Sequence, residues 1–173
     1  AEYVEITGKG ENQTNMQVQL AAISNPEKQT KFENCVADVN IPLGEVFTSP
    51  KLAGTNGILN VGTVYIGDIQ YRNLRMEFKD GRVVSAVCDN FVENGVIDQE
   101  AGHRLIVQGI MNGHETLPLG EFAIGTNTTA YAMAEKFGIL DRLPILIVEK
   151  MGPHFAVGDT CYSWSEDSPM YNP

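Results

Sequence analysis

The chain has 173 residues, 43% hydrophobic and 20% charged. That is the make-up of a compact domain long enough to bury a core. The formal net charge is −10, from 12 Lys and Arg against 22 Asp and Glu; this argues against nucleic acid as a partner, since phosphate binding needs clustered basic side chains. No run approaches the roughly 18 apolar residues of a membrane span.

Three cysteines, Cys35, Cys88 and Cys161, are widely spaced and include no C-x-x-C pair. A zinc knuckle and a thioredoxin-like motif are therefore not available. A reducing, cytoplasmic compartment is the simplest expectation, with each cysteine acting as a small buried hydrophobe. The start, Ala1-Glu2-Tyr3, has neither the basic segment nor the apolar stretch of a secretory leader. Both ends read as cuts inside a longer chain, so the expectation is one domain over 1–173, part of a larger protein.

In chain order, Tyr3 to Thr7 reads as a short strand ending at Gly8. Met16, Val18 and Leu20 alternate with Gln17 and Gln19, the period of a half-buried strand. Asn25-Pro26-Glu27 marks a turn, and Cys35 to Val39 is a further extended run. Gly57 to Tyr65 is an apolar strand candidate. Leu74, Met76 and Phe78 alternate with charged residues up to Asp80-Gly81, and Val83 to Val87 returns. That is an antiparallel hairpin, because Gly supplies the positive φ of such a turn.

Helices are expected afterwards. Val92 to Met111 carries apolar residues at Val96, Ile97, Leu105, Ile106 and Ile110, with Gly95 and Gly102 weakening it. Thr128 or Thr129 caps a second helix over Ala130 to Phe137, stopped by Gly138. The β-branched run Leu143 to Val148 reads as a buried strand ending at Glu149. The fold class is α+β: a mostly antiparallel sheet with two or three helices in a single domain.

Four segments place an acid or a His beside Gly or Pro at the edge of an apolar run. They contain Glu45, Glu121, Glu149 and His154. A carboxylate inside an apolar run is costly to bury unless something pairs with it. A cation can do so, and three carboxylates with one imidazole suit Zn, Co or Mn. Taken singly, each Glu is better read as a helix cap, an ion-pair partner or a surface residue, and His154 as a hydrogen-bonded structural histidine. His103 and His114 read as ordinary surface residues. A cysteine hydrolase built on Cys161 and His154 is disfavoured, because no helix N-terminus is at hand to lower the thiol pKa.

The run Asn40-Ile41-Pro42-Leu43-Gly44-Glu45-Val46-Phe47-Thr48-Ser49-Pro50 resembles the N-x-P-x-x-E-V-F-T-x-P segment of the aminopeptidase T/aminopeptidase S family. Phe78-Lys79-Asp80-Gly81-Arg82-Val83-Val84 is similar to its F-x-x-G-R-V-V hairpin. Leu119-Gly120-Glu121-Phe122-Ala123-Ile124-Gly125 is similar to its L-G-E-x-A-x-G segment. Glu149 stands five residues before His154, as in its E-x-x-x-x-H, and Phe155-Ala156-Val157-Gly158 follows as in its H-x-A-x-G. The four segments stand in the family's order.

The resemblance implies a two-metal aminopeptidase, often described as a leucyl aminopeptidase, acting on peptides with two divalent ions and forming a dimer. Glu45, Glu121, Glu149 and His154 match metal ligands, Glu121 also standing near the attacking water. Tyr162 matches the catalytic Tyr, displaced by one residue from the family's usual spacing. The family's further His-x-Asp ligand pair does not occur in these 173 residues, and its asparagine-rich stretch before the His is replaced here. The resemblance therefore implies a metal-binding region that by itself lacks turnover. The alternative is a binding or assembly module that keeps the fold without catalysis.

Overall fold

The computed structural model describes residues 1–35 and 44–158. Two antiparallel sheets share one apolar core. The first has five strands: β1 (Tyr3–Thr7), β2 (Asn15–Gln19), β5 (Lys51–Ile66), β6 (Ile69–Lys79) and β7 (Arg82–Val87), in the order β1-β2-β5-β6-β7. The second has four: β3 (Glu33–Cys35), β4 (Glu45–Thr48), β10 (Leu119–Gly125) and β11 (Pro153–Val157), in the order β11-β10-β4-β3. Every pairing within the two sheets is antiparallel. The α+β class expected from the sequence is the class observed.

The core forms where the alternating patterns predict it. Met16 and Val18 of β2 and Leu74, Met76 and Phe78 of β6 are buried. The β6–β7 hairpin turns at Asp80 (φ 45°) and Gly81 (φ 68°), both left-handed as a tight two-residue turn requires. β5 is longer than the Gly57–Tyr65 run suggests. Its start is held by Thr55, whose hydroxyl accepts a bond from the Gln19 N–H and donates to the Lys51 carbonyl.

Three expectations are corrected. The stretch from Val92 to Met111 is not one helix. Val92–Glu93 (β8) and Val96–Ile97 (β9) form a small hairpin, and helix α1 begins at Gln99 and ends at Gly109. Asn94 (φ 52°) and Gly95 (φ 79°) make the turn, and Asp98 caps the helix by accepting from the Ala101 N–H. Val96 is 70% exposed, so it was never part of an apolar helix face.

Leu143 to Val148 is not a strand. Ile145–Val148 is a single helical turn, α3, followed by a 3-10 turn at Glu149–Met151. The Pro144 carbonyl accepts from the Ile147 and Val148 N–H groups, so backbone donors that a strand would send sideways are satisfied locally.

Helix α2 runs Thr128–Lys136 and is capped by Asn127, not by Thr128 or Thr129; the Asn127 side chain accepts from the Ala130 N–H at 2.7 Å. It ends as expected at Gly138, φ 61°. The Gly138 and Ile139 N–H groups bond the Glu135 and Ala134 carbonyls, a Schellman closure.

Helix α1 covers the core face of β7 with Gly102, Ile106 and Val107. Gly102, read from the sequence as a weakness, is the point of closest approach. A methyl group there would collide with the Cys88 carbonyl oxygen. Helix propensity alone gives Gly102→Ala a gain of about 1 kcal/mol. Overpacking against a backbone atom costs about 1–3 kcal/mol. A lowered urea midpoint for Gly102→Ala is therefore expected; a raised one would show that propensity governs this position.

Cys88 is fully buried, as expected, and Cys35 is half-buried. Cys161 lies outside the described residues. Among the described residues, no helix is long and apolar enough to cross a membrane.

Candidate metal centre

Strand β10 lies between β4 and β11 and sets the geometry of the site. Within a strand, residues two apart share a face, and directly opposed residues on neighbouring strands share it too. Glu121, Ala123 and Gly125 therefore point to one side of β10. Ala123 faces His154 of β11, and Gly125 faces Glu45 of β4. Register alone brings Glu45, Glu121 and His154 to the same face, from three strands distant in sequence.

Phe122 points the other way. It is buried in the core between Phe155, 5.3 Å away by ring centroids, and Phe32, 6.0 Å away. The alternation of Glu121 and Ala123 with Phe122 thus separates a polar site from the apolar anchor beneath it.

Donor atoms of Glu45, Glu121 and His154 all lie within 4.8 Å of one another. His154 Nε2 is 3.0 Å from a Glu45 oxygen, with the two side chains only 16% and 9% exposed. His154 Nδ1 is 3.1 Å from the Gly152 carbonyl. A carbonyl only accepts, so Nδ1 carries the hydrogen and Nε2 is the nitrogen turned to the carboxylates. This is the usual orientation of a metal-ligating histidine held by a backbone carbonyl.

The electrostatics are those of crowded acids. Burial raises the pKa of Glu121, and the charge of Glu45 raises it further; His154 works the other way, and Glu149 adds a smaller upward push. Burial also raises Glu149, with His154 opposing and Glu45 reinforcing. Two carboxylates and an imidazole form a mixed oxygen and nitrogen donor set. A divalent cation there relieves the like-charge crowding, so these residues fit one.

Of the sequence candidates, Glu45, Glu121 and His154 come together. Glu149 sits on the turn before β11; its charge raises the pKa of Glu121, but its carboxylate is outside the close group. Tyr162 lies outside the described residues, as does the Asn40-Ile41-Pro42-Leu43 part of the first segment. His103 lies on α1, bonded to the Ala86 carbonyl and to Glu115, and both contacts raise its pKa. His114 is exposed. Neither joins the group of donors.

Sequence reasoning missed the residues that hold the donors from behind. The Gly44 carbonyl, next to Glu45, accepts from both the N–H and the hydroxyl of Thr126. A small polar triplet, Gly125-Thr126-Asn127, directly after an apolar strand was the signal available.

Comparison with known proteins adds the following. The family description "thermophilic metalloprotease (M29)" matches residues 1–166. Among solved structures, wild-type AmpT from Thermus thermophilus aligns with a TM-score of 0.49 and 18% identity. The alignment covers 87% of this chain and 34% of that one. A search of curated proteins gives no significant match. With a family match running through nearly all of the sequence, the chain belongs to the M29 thermophilic metalloproteases.

Proposed function

We propose that the chain is the metal-binding part of a metallo-aminopeptidase that releases N-terminal amino acids from peptides. The observation that carries this reading is the convergence of Glu45, Glu121 and His154 on one face within 4.8 Å, in a member of a metalloprotease family. Two divalent ions, Zn, Co or Mn, would supply Lewis acidity toward the scissile carbonyl and an acidified water.

The protein's own residues have distinct tasks. Glu45, Glu121 and His154 would hold an ion together, and Glu149 would be a further ligand. Glu121 is also the proton acceptor. It lies beside the other donors and would take the proton of an attacking water. Tyr162 is the hydrogen-bond donor to the developing oxyanion. The acidic face suits the free α-amino group of a peptide.

The chain is the C-terminal catalytic region of a larger cytoplasmic enzyme that works as a homodimer. With these four protein donors, the 173 residues bind metal weakly and turn over no substrate, because affinity depends on a completed shell.

Calorimetric titration of the metal-free chain with Zn²⁺ and with Co²⁺ tests the site. Weak, saturable binding that disappears in Glu45→Ala is the expected result. Tight binding that survives both Glu45→Ala and His154→Ala would sink the ligand assignment. No binding at all would favour a module that keeps the fold without the chemistry.

A further inference from the structure

Three consecutive residues at the end of β10 bond the backbone near Glu45, Glu149 and His154. The Gly125 N–H donates to the Gly152 carbonyl at 2.8 Å, the same oxygen that receives His154 Nδ1. The Thr126 N–H and hydroxyl both donate to the Gly44 carbonyl, at 3.2 and 2.5 Å, one residue before Glu45. The Asn127 N–H donates to the Lys150 carbonyl at 2.8 Å, one residue after Glu149. The Asn127 side chain is meanwhile fixed as the cap of α2.

Gly125 also permits the approach itself. A side chain there would run into the Glu149 carbonyl oxygen and the Lys150 backbone. The turn bearing Glu149 can lie against the end of β10 only because position 125 carries no Cβ. The Thr126 hydroxyl is turned to the Gly44 carbonyl and the Asn127 side chain to the start of α2. They bind backbone and set spacing.

We propose that Gly125-Thr126-Asn127 is a positioning clamp for the metal centre, with the Thr126 hydroxyl fixing the arm that carries Glu45 relative to the arm that carries Glu149 and His154. The proposal rests on the metal-binding reading above. Thr126 is exposed, so its bond to Gly44 adds little to folding stability; hydrogen bonds in water are worth little net. Its effect lies in geometry. Groups that orient metal ligands typically change metal affinity by about 10–100-fold when removed.

The test compares Thr126→Val, which keeps the shape and loses the hydroxyl, with Thr126→Ser, which keeps the hydroxyl. Co²⁺ affinity, the visible Co²⁺ absorption spectrum and the thermal midpoint of the metal-free protein are measured for each. The expected result for Thr126→Val is Co²⁺ binding weakened about 10–100-fold, an altered Co²⁺ spectrum and a nearly unchanged midpoint. Thr126→Ser is expected to restore both affinity and spectrum. Wild-type Co²⁺ affinity and spectrum in Thr126→Val overturn the clamp alone, and so does an equal loss in both variants. Absence of Co²⁺ binding by the wild-type chain overturns the metal reading and the clamp together.

Discussion

Glu121→Gln is expected to raise the thermal stability of the metal-free protein at neutral pH while cutting its metal affinity by about 100-fold or more, the upper end of what even ligand-orienting groups contribute. The amide keeps the volume of the carboxyl and removes a charge that burial and Glu45 both disfavour. The sign follows from linkage. The pKa values of Glu121 and Glu149 are raised in the folded state above the ordinary value of 4.5. Their contribution to stability is fully present below that value and is lost as pH rises through the folded pKa.

In chelator, the wild-type chain therefore loses stability from these two groups between mildly acid and neutral pH. Glu121→Gln flattens that loss. Each kcal/mol recovered raises the midpoint by roughly 2–4 °C in a chain of this size. Added metal acts in the opposite sense, because it takes the deprotonated carboxylates and competes with protons. Its stabilisation is expected to be greater at pH 7 than at pH 5. Thermal melts across this pH range, with chelator and with Zn²⁺, check both statements. A lower midpoint for Glu121→Gln at pH 7 in chelator would contradict the crowded-acid account.

His154→Ala is expected to remove metal binding as well, but with the reverse effect on the metal-free fold. His154 Nε2 and the Glu45 carboxylate are 3.0 Å apart and largely shielded from water. Removing one member of a shielded polar pair typically costs about 1–3 kcal/mol. Glu45 keeps its place beside Glu121 when the imidazole is removed. The double variant Glu45→Gln with His154→Ala is expected to lose less than the sum of the two single variants, since the contact between the two side chains is broken only once. Urea unfolding of the two single variants and the double one gives the coupling directly. Strict additivity would mean that the pair contributes nothing beyond packing. Opposite shifts for Glu121→Gln and His154→Ala separate charge crowding from simple loss of side-chain volume.

The parts of the fold legible from the chain are those with a local signal. The β6–β7 hairpin has alternation on both sides of Asp80-Gly81, and β2 shows the same alternation between Met16 and Leu20. Two segments misled for physical reasons. Val96 and Ile97 fall at helical spacing from Leu105 and Ile106 by coincidence, while Asn94-Gly95, the stronger signal, makes a turn. The β-branched run before Glu149 has strand composition, but it meets β5 only in a single bridge between Pro144 and Tyr65, and the Pro144 carbonyl then closes it into a helical turn.

The site was legible only in part. Acids beside glycine at the ends of apolar runs marked Glu45 and Glu121. Nothing local says that position 45 pairs with 125, or 123 with 154. That register is a long-range property of the second sheet, and only the ordered resemblance to a family pointed toward it. The displacement of Glu149 from the close group follows from the turn that the sequence had suggested was a strand.

The order β11-β10-β4-β3 has a consequence for how the chain finds its native state. The donors come from three adjacent strands, at residues 45, 121 and 154, so a cation held there would be a non-covalent cross-link closing two long loops. Such a link forms only in the native state and stabilises by binding that state and not the unfolded one. The pairing that builds it is slow, because distant segments must meet before any contact rewards them. Metal should therefore be captured late in folding and should act chiefly on the unfolding rate, keeping a completed sheet closed.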